Sequence, residues 1–155
     1  MLFQPVLVVL ALASPLVSAL GKARVVNNCN FDATAWSVDS KIKGPYTLKA
    51  KGGKYEETFH RDPVTGGIAI KLTRDPNGLY TGAPQLNFAY SLDGSQVWYD
   101  LSSVFGDAFP GSKLVEKSAN NNCPAIVWPT GSPPQGSQVK VCAADKDVTL
   151  TLCSA

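Results

Sequence analysis

The chain has 155 residues, 45% of them apolar, and its 14 basic and 12 acidic residues leave a net charge of +2. That length supports one domain with a sizeable core and is too short for two ordinary ones. So small a net charge argues against nucleic acid as a partner.

In chain order, residues 1–19 come first. Val6 to Leu12 is a compact apolar run, and Val17-Ser18-Ala19 has the small-residue spacing of a signal-peptide cleavage site. The stretch is too short to span a bilayer and is interrupted by Pro5 and Pro15. It reads as a cleaved leader, with the mature chain, residues 20–155, starting at Leu20 as a single domain. The mature chain is therefore expected to be extracellular, free of the membrane and monomeric.

Beyond the leader, period-two alternation recurs and no stretch holds a helical period for three turns, so the expectation is all-β. Strands are predicted over Lys22 to Asn27, Asp32 to Val38 and Tyr46 to Lys51, the last leading into a Gly52-Gly53 turn. Tyr55, Glu57 and Phe59 then share one face, and Ile68, Ile70 and Leu72 another, with Lys71 and Thr73 opposite. Asp75-Pro76-Asn77-Gly78 is a turn. Leu86, Phe88, Tyr90 and Leu92 alternate cleanly, and across Asp93-Gly94 so do Val97, Tyr99 and Leu101, so residues 85–101 read as a hairpin. Ser103 to Ser112 is a loop. Lys113 to Lys117, Ala125 to Trp128, Gln138 to Cys142 and Val148 to Cys153 bring the count to about ten short strands, the spacing of a sandwich or flattened barrel. Pro129 to Gly136, centred on Pro133-Pro134, is a surface loop.

Four cysteines in an oxidising compartment imply two disulfides. Of the three pairings, Cys29 with Cys153 would tie the opening strand to the closing one, and Cys123 with Cys142 would close the proline-rich excursion. No C-x-x-C pair is present and the only histidine, His60, is remote, so neither a metal nor any other cofactor is expected. Charge is uneven: Lys22, Arg24, Lys41, Lys43, Lys49, Lys51 and Lys54 face only Asp32 and Asp39, giving +5 before Tyr55 and −3 after it. Such lysines protect an exposed strand edge or contact an anionic polymer.

Glycoside hydrolysis needs two carboxyl groups flanking one bond. Asp100 and Asp107 are the weak catalytic candidates, with Glu57 in reserve; Glu56 and Glu57, adjacent on a strand, point to opposite faces and cannot form one pair. Trp98 and Tyr80 are the aromatic residues best suited to stacking against a sugar ring. A serine triad would have to use His60, and no G-x-S-x-G elbow exists to accompany it.

Several segments carry a resemblance. Arg24-Val25-Val26-Asn27-Asn28-Cys29, Trp36 and Trp98-Tyr99-Asp100-Leu101-Ser102-Ser103-Val104-Phe105-Gly106 resemble segments of thaumatin-like proteins. Gly52-Gly53-Lys54-Tyr55, Leu86-Asn87-Phe88-Ala89-Tyr90 and the stretch from Tyr99 to Asp107 are similar to the Blastomyces yeast-phase-specific protein family of small secreted fungal proteins. The resemblance implies a thaumatin-like β-sandwich with the first cysteine bridged to the last. It also implies a cleft associated with β-glucan, in which Asp100 looks like a cleft aspartate, Asn87 stands where the larger relatives have glutamate, and Phe105 stands where they have aspartate. The resulting expectation is a non-catalytic secreted protein associating with wall or host polysaccharide through Trp98, Tyr80, Asp100 and Asn87. A weak β-1,3-glucan hydrolase and a protein-binding effector are the alternatives.

Overall fold

This computed structural model describes residues 18–155, and among them the chain forms eleven strands and one helical turn. The leader expected over residues 1–19 falls, up to residue 17, outside the described residues. The strands are β1 (Lys22–Asn27), β2 (Ala33–Val38), β3 (Ile42–Leu48), β4 (Gly53–Thr58), β5 (Gly67–Thr73), β6 (Gln85–Asp93), β7 (Gln96–Val104), β8 (Leu114–Ser118), β9 (Ile126–Trp128), β10 (Lys140–Ala143) and β11 (Val148–Leu152). The helical turn α1 spans Gly78–Thr81. One sheet has the order β4-β1-β11-β8-β9 and the other β10-β7-β6-β5-β2-β3.

Alternation explains the layering. Val25, Leu150 and Leu114 from the five-stranded sheet and Ile70, Leu72, Phe88, Tyr99 and Leu101 from the six-stranded sheet all turn into the space between. Trp128, Phe59 and Phe109 fill it, and each such side chain contributes about 1.5–3 kcal/mol by leaving water. The first and last strands, β1 and β11, lie side by side in parallel, Val25 beside Leu150. Cys29 bridges Cys153 just past their ends, and Cys123 bridges Cys142. Both pairings match the sequence expectation.

Turns moved most. The strand expected over Tyr46 to Lys51 begins earlier, at Ile42, and the chain turns through Lys49 to Gly52, where Lys51 and Gly52 sit at φ 61° and 123°. Gly53 already belongs to β4 and pairs with Asn27. In the long hairpin Asp93 still pairs with Gln96, so the two-residue turn is Gly94-Ser95, with Gly94 at φ 57° in the first central place, where a II′ turn requires glycine. Gly78, read as the end of a turn, instead opens α1, and a side chain there would strike Thr73, so α1 packs directly on the end of β5.

The two sides of the sandwich are closed differently. Where β3 meets β4, Glu57 accepts hydrogen bonds from Tyr55 (2.6 Å) and from Tyr90 (2.5 Å) across the sheets. Nδ1 of His60 lies 3.2 Å from the Tyr90 hydroxyl, and its Nε2 lies 3.5 Å from Asp39. Burial, then the bonds to Glu57, push both tyrosine hydroxyls far up in pKa, so they stay protonated as donors. On the opposite side, β8 turns Glu116 into the core, fully buried, with no hydrogen-bond partner on either oxygen among the described residues. Burial, reinforced by Asp100, raises its pKa well above the usual carboxylate range, so it is a neutral acid. The Tyr99 hydroxyl donates to the Pro124 carbonyl nearby.

Candidate functional site

Register across the six-stranded sheet sorts its outward residues into rows. Gly67, Ser91 and Trp98 form one, followed by Val38, Ala69, Ala89 and Asp100, and then by Trp36, Lys71, Asn87 and Ser102. The first two rows have small side chains on β5 and β6 and larger ones on either flank. The consequence is a shallow groove made of two adjoining depressions that share Ala89, Tyr90 and Ser91. Trp98, Asp100 and Val139 wall one depression, of about 140 Å³. Val38, Asp39 and Thr65 wall the other, of about 330 Å³, at the low end of the usual range for ligand sites.

Trp98 presents a half-exposed indole, whereas Trp36, Trp128 and Tyr99 are buried. Asp100 is half-buried beside Trp98, and its Oδ1 has no hydrogen-bond partner among the described residues. Burial raises the pKa of this carboxyl, against the opposing pull of the Ala89 backbone. Asp39 behaves oppositely. The Lys41 backbone N–H holds it below the ordinary carboxylate range, with help from His60 and Lys43. Divergent carboxyls can divide acid and base roles. These two stand on β7 and just beyond β2, three strand spacings apart, or roughly 14 Å between the backbones. A glycosidase pair stands about 5–9.5 Å apart.

Of the residues singled out from sequence, Trp98 and Asp100 line the groove together. Asn87 lies one row beyond, almost wholly buried, its Oδ1 accepting from Lys71 Nζ at 3.1 Å. Tyr80 is elsewhere: it rides on α1 at the Thr73 end of β5, whereas the groove lies at the Gly67 end, and it is 67% exposed. Asp107 is also elsewhere. It follows β7 on a loop, where Ser132 of the proline-rich segment donates to it at 2.5 Å, so the structure does not bring Asp100 and Asp107 to one groove. Glu57 faces the space between the sheets, engaged by its two tyrosines. Sequence reasoning missed Asp39, Thr65, Val139 and the small floor. The available signal was that Gly67, Ala69, Ala89 and Ser91 all fall on the polar phase of their strands.

Comparison with known proteins gives concordant results. A family model described as Blastomyces yeast-phase-specific protein matches residues 10–154. The chain is 30% identical over 145 residues to the antigenic thaumatin-like protein of Arthroderma benhamiae, covering 87% of this chain and 72% of that one. It is 28% identical over 151 residues to the secreted thaumatin-like protein calA of Emericella nidulans, covering 89% and 84%. Among solved structures, the protein elicitor MoHrip2 from Magnaporthe oryzae superposes with a TM-score of 0.70 at 22% identity, over 86% of this chain and 99% of that one. The thaumatin-like xylanase inhibitor TLXI superposes with a TM-score of 0.55 at 14% identity, over 85% and 99%. At those identities the likeness establishes the fold, a thaumatin-like sandwich.

Proposed function

The chain belongs to the Blastomyces yeast-phase-specific protein family of secreted, thaumatin-like fungal proteins, and from that premise we propose that it binds cell-wall or host polysaccharide without cleaving it. One observation carries the reading. An exposed indole, Trp98, stands beside the half-buried carboxyl of Asp100, above a floor of small side chains. The indole offers the flat apolar surface that a sugar ring stacks on, and Asp100 offers an acceptor for ring hydroxyls. The open, shallow shape suits a chain laid along the sheet better than an enclosed small molecule. The wide separation of Asp39 from Asp100 supports binding over hydrolysis.

The test is retention of the purified mature protein on insoluble β-1,3-glucan, chitin, mannan and a mixed-polymer wall fraction, with reducing-sugar release followed in the same tubes. Retention without release is expected, and Trp98→Ala should weaken it about tenfold, or ~1.4 kcal/mol. Tyr80→Ala, remote from the groove, should leave it within twofold. Sugar release abolished by Asp100→Asn would establish a hydrolase instead. Failure of all four polymers to retain the protein overturns the reading and directs attention to protease-sensitive material.

A further inference from the structure

The wall of the larger depression comes from two connections: Asp39 opens the turn between β2 and β3, and Thr65 lies in the connection between β4 and β5. An acid holds each of them. Asp62, itself buried, accepts from the Thr65 backbone at 2.7 Å, from the Val64 backbone at 3.1 Å and from Ser40 Oγ at 2.7 Å. These donors are neutral, and with the Thr65 N–H foremost they keep the carboxyl ionised far below the usual range, so this part of the wall has one form from mild acid to alkali. Asp39 is held differently. Its Oδ1 accepts from the Lys41 N–H at 2.7 Å, but its Oδ2 meets Lys43 Nζ and His60 Nε2, each at 3.5 Å.

Both nitrogens of the His60 ring face oxygens. Nδ1 lies 3.1 Å from the Thr58 carbonyl and 3.2 Å from the Tyr90 hydroxyl, and Nε2 is buried against the Asp39 carboxylate without a hydrogen bond. Tyr90 has no proton to give Nδ1, because it donates its own to Glu57 at 2.5 Å. A neutral imidazole carries one N–H and one lone pair. With the proton on Nδ1, the Nε2 lone pair points at Asp39; with the proton on Nε2, the Nδ1 lone pair points at two oxygens. Only the imidazolium, a donor at both nitrogens, suits every neighbour. Among the described residues the ionisable groups around it are Asp39 after β2, Glu57 behind Tyr90 on β4, Tyr90 on β6 and Lys43 on β3. Arg61, the next residue in the chain, is turned toward Gly66. Lys43 opposes the imidazolium, but its ammonium is half-exposed and screened, whereas Nε2 is buried against the carboxylate.

Resting on the saccharide groove proposed above, we propose that His60 is its pH switch: as an imidazolium it holds Asp39, and with it the β2–β3 turn, as the wall of the larger depression, and on losing its proton it lets that wall loosen. Histidine is the side chain that changes charge between about pH 5 and 8. Retention of saccharide is therefore strongest on the acid side of that range and falls as pH rises through the titration of His60, while Asp62 keeps its own part of the wall in place. By reciprocity, a bound saccharide holds the proton on His60 more tightly.

The chain has a single histidine, so the imidazole signals in the NMR spectrum of the mature protein report His60 alone. They are followed from about pH 5 to 8 at constant ionic strength, together with the exchange protection of the Lys41 amide, which donates to Asp39, and retention on insoluble β-1,3-glucan, chitin, mannan and the mixed-polymer wall fraction. The expected result is one step in the ring signals, with Lys41 protection and retention each falling about fivefold across that same step, the scale of a partly exposed ion pair. His60→Gln keeps an N–H donor at every pH and should flatten both profiles. Asp39→Asn, which leaves the imidazolium no carboxylate, should flatten them too. A ring that holds one state throughout, a Lys41 amide indifferent to the ring, or a pH profile that survives in His60→Gln and so belongs to Asp100 or Glu116, overturns the switch and leaves the groove standing. A turn that responds to the ring in a protein that none of the four polymers retains upholds the switch and overturns the groove.

Discussion

On the side where β3 meets β4, a half-buried carboxylate is shared between two tyrosines from opposite sheets, and the Tyr90 hydroxyl lies in turn beside His60 and, past it, Asp39. On the side where β8, β9 and β10 meet, a buried carboxyl has no partner among the described residues, and the closure is a disulfide with the Tyr99-to-Pro124 and Trp128-to-Gln138 hydrogen bonds beside it. The first arrangement supplies hydrogen bonds in place of water. The second gives up its charge because it supplies none. The sides should therefore fail under opposite conditions.

The largest effect expected is on the β8/β9/β10 side. Converting both Cys123 and Cys142 to serine frees a loop of 19 residues and should cost about 3 kcal/mol in denaturant unfolding. A loss well below 1 kcal/mol would mean that packing alone closes this side. On the other side, Glu57→Ala leaves the Tyr55 and Tyr90 hydroxyls without their acceptor and should cost about 2 kcal/mol, with Tyr90→Phe in the Glu57→Ala background recovering part of it. Glu116→Met should act with the opposite sign, stabilising by about 1–2 kcal/mol near pH 8, since an unsatisfied acid is replaced by an apolar side chain of similar length. If it destabilises instead, Glu116 has a partner and the contrast disappears.

Stability against pH gives the smallest and most diagnostic signal. Glu116 has a raised pKa in the folded state, so its contribution is present in acid. It is lost as pH climbs from the ordinary glutamate value, about 4.3, toward its own raised value. Asp39 and Asp62 are held low, Asp62 chiefly by the Thr65 backbone N–H, so their contribution is present above about pH 3.9 and lost as pH falls through their depressed values. Thermal unfolding across pH should show both limbs. Glu116→Met should flatten the alkaline one, and Asp62→Asn should soften the acid one.

Much of the architecture was readable because it depends on local periodicity. The β6–β7 hairpin announces itself by strict alternation on both arms, and β1 by the run ending at Asn27. Where β3 begins was not readable, since Ile-Lys-Gly-Pro has no strand pattern and its residues form an edge whose outer groups face solvent. Glu116 was equally hidden. It sits between Val115 and Lys117, and nothing local says that the charged position turns inward while the valine turns out. For the site, Trp98 and Asp100 were identifiable from one strand's phase. The groove was not, because its floor is assembled from β5 and β6 at a register that no single strand encodes.

The parallel pairing of β1 with β11 also sets an order of events during synthesis. The six-stranded sheet draws five of its strands from residues 33–104 and can assemble while the rest of the chain is still emerging. The five-stranded sheet cannot be completed until residue 152 has arrived, because β11 is its middle strand. Cys29, an early thiol, must wait through the appearance of both Cys123 and Cys142 before its own partner exists. The 19-residue spacing of that second pair lets it close on itself first, removing the two wrong partners that Cys29 would otherwise meet.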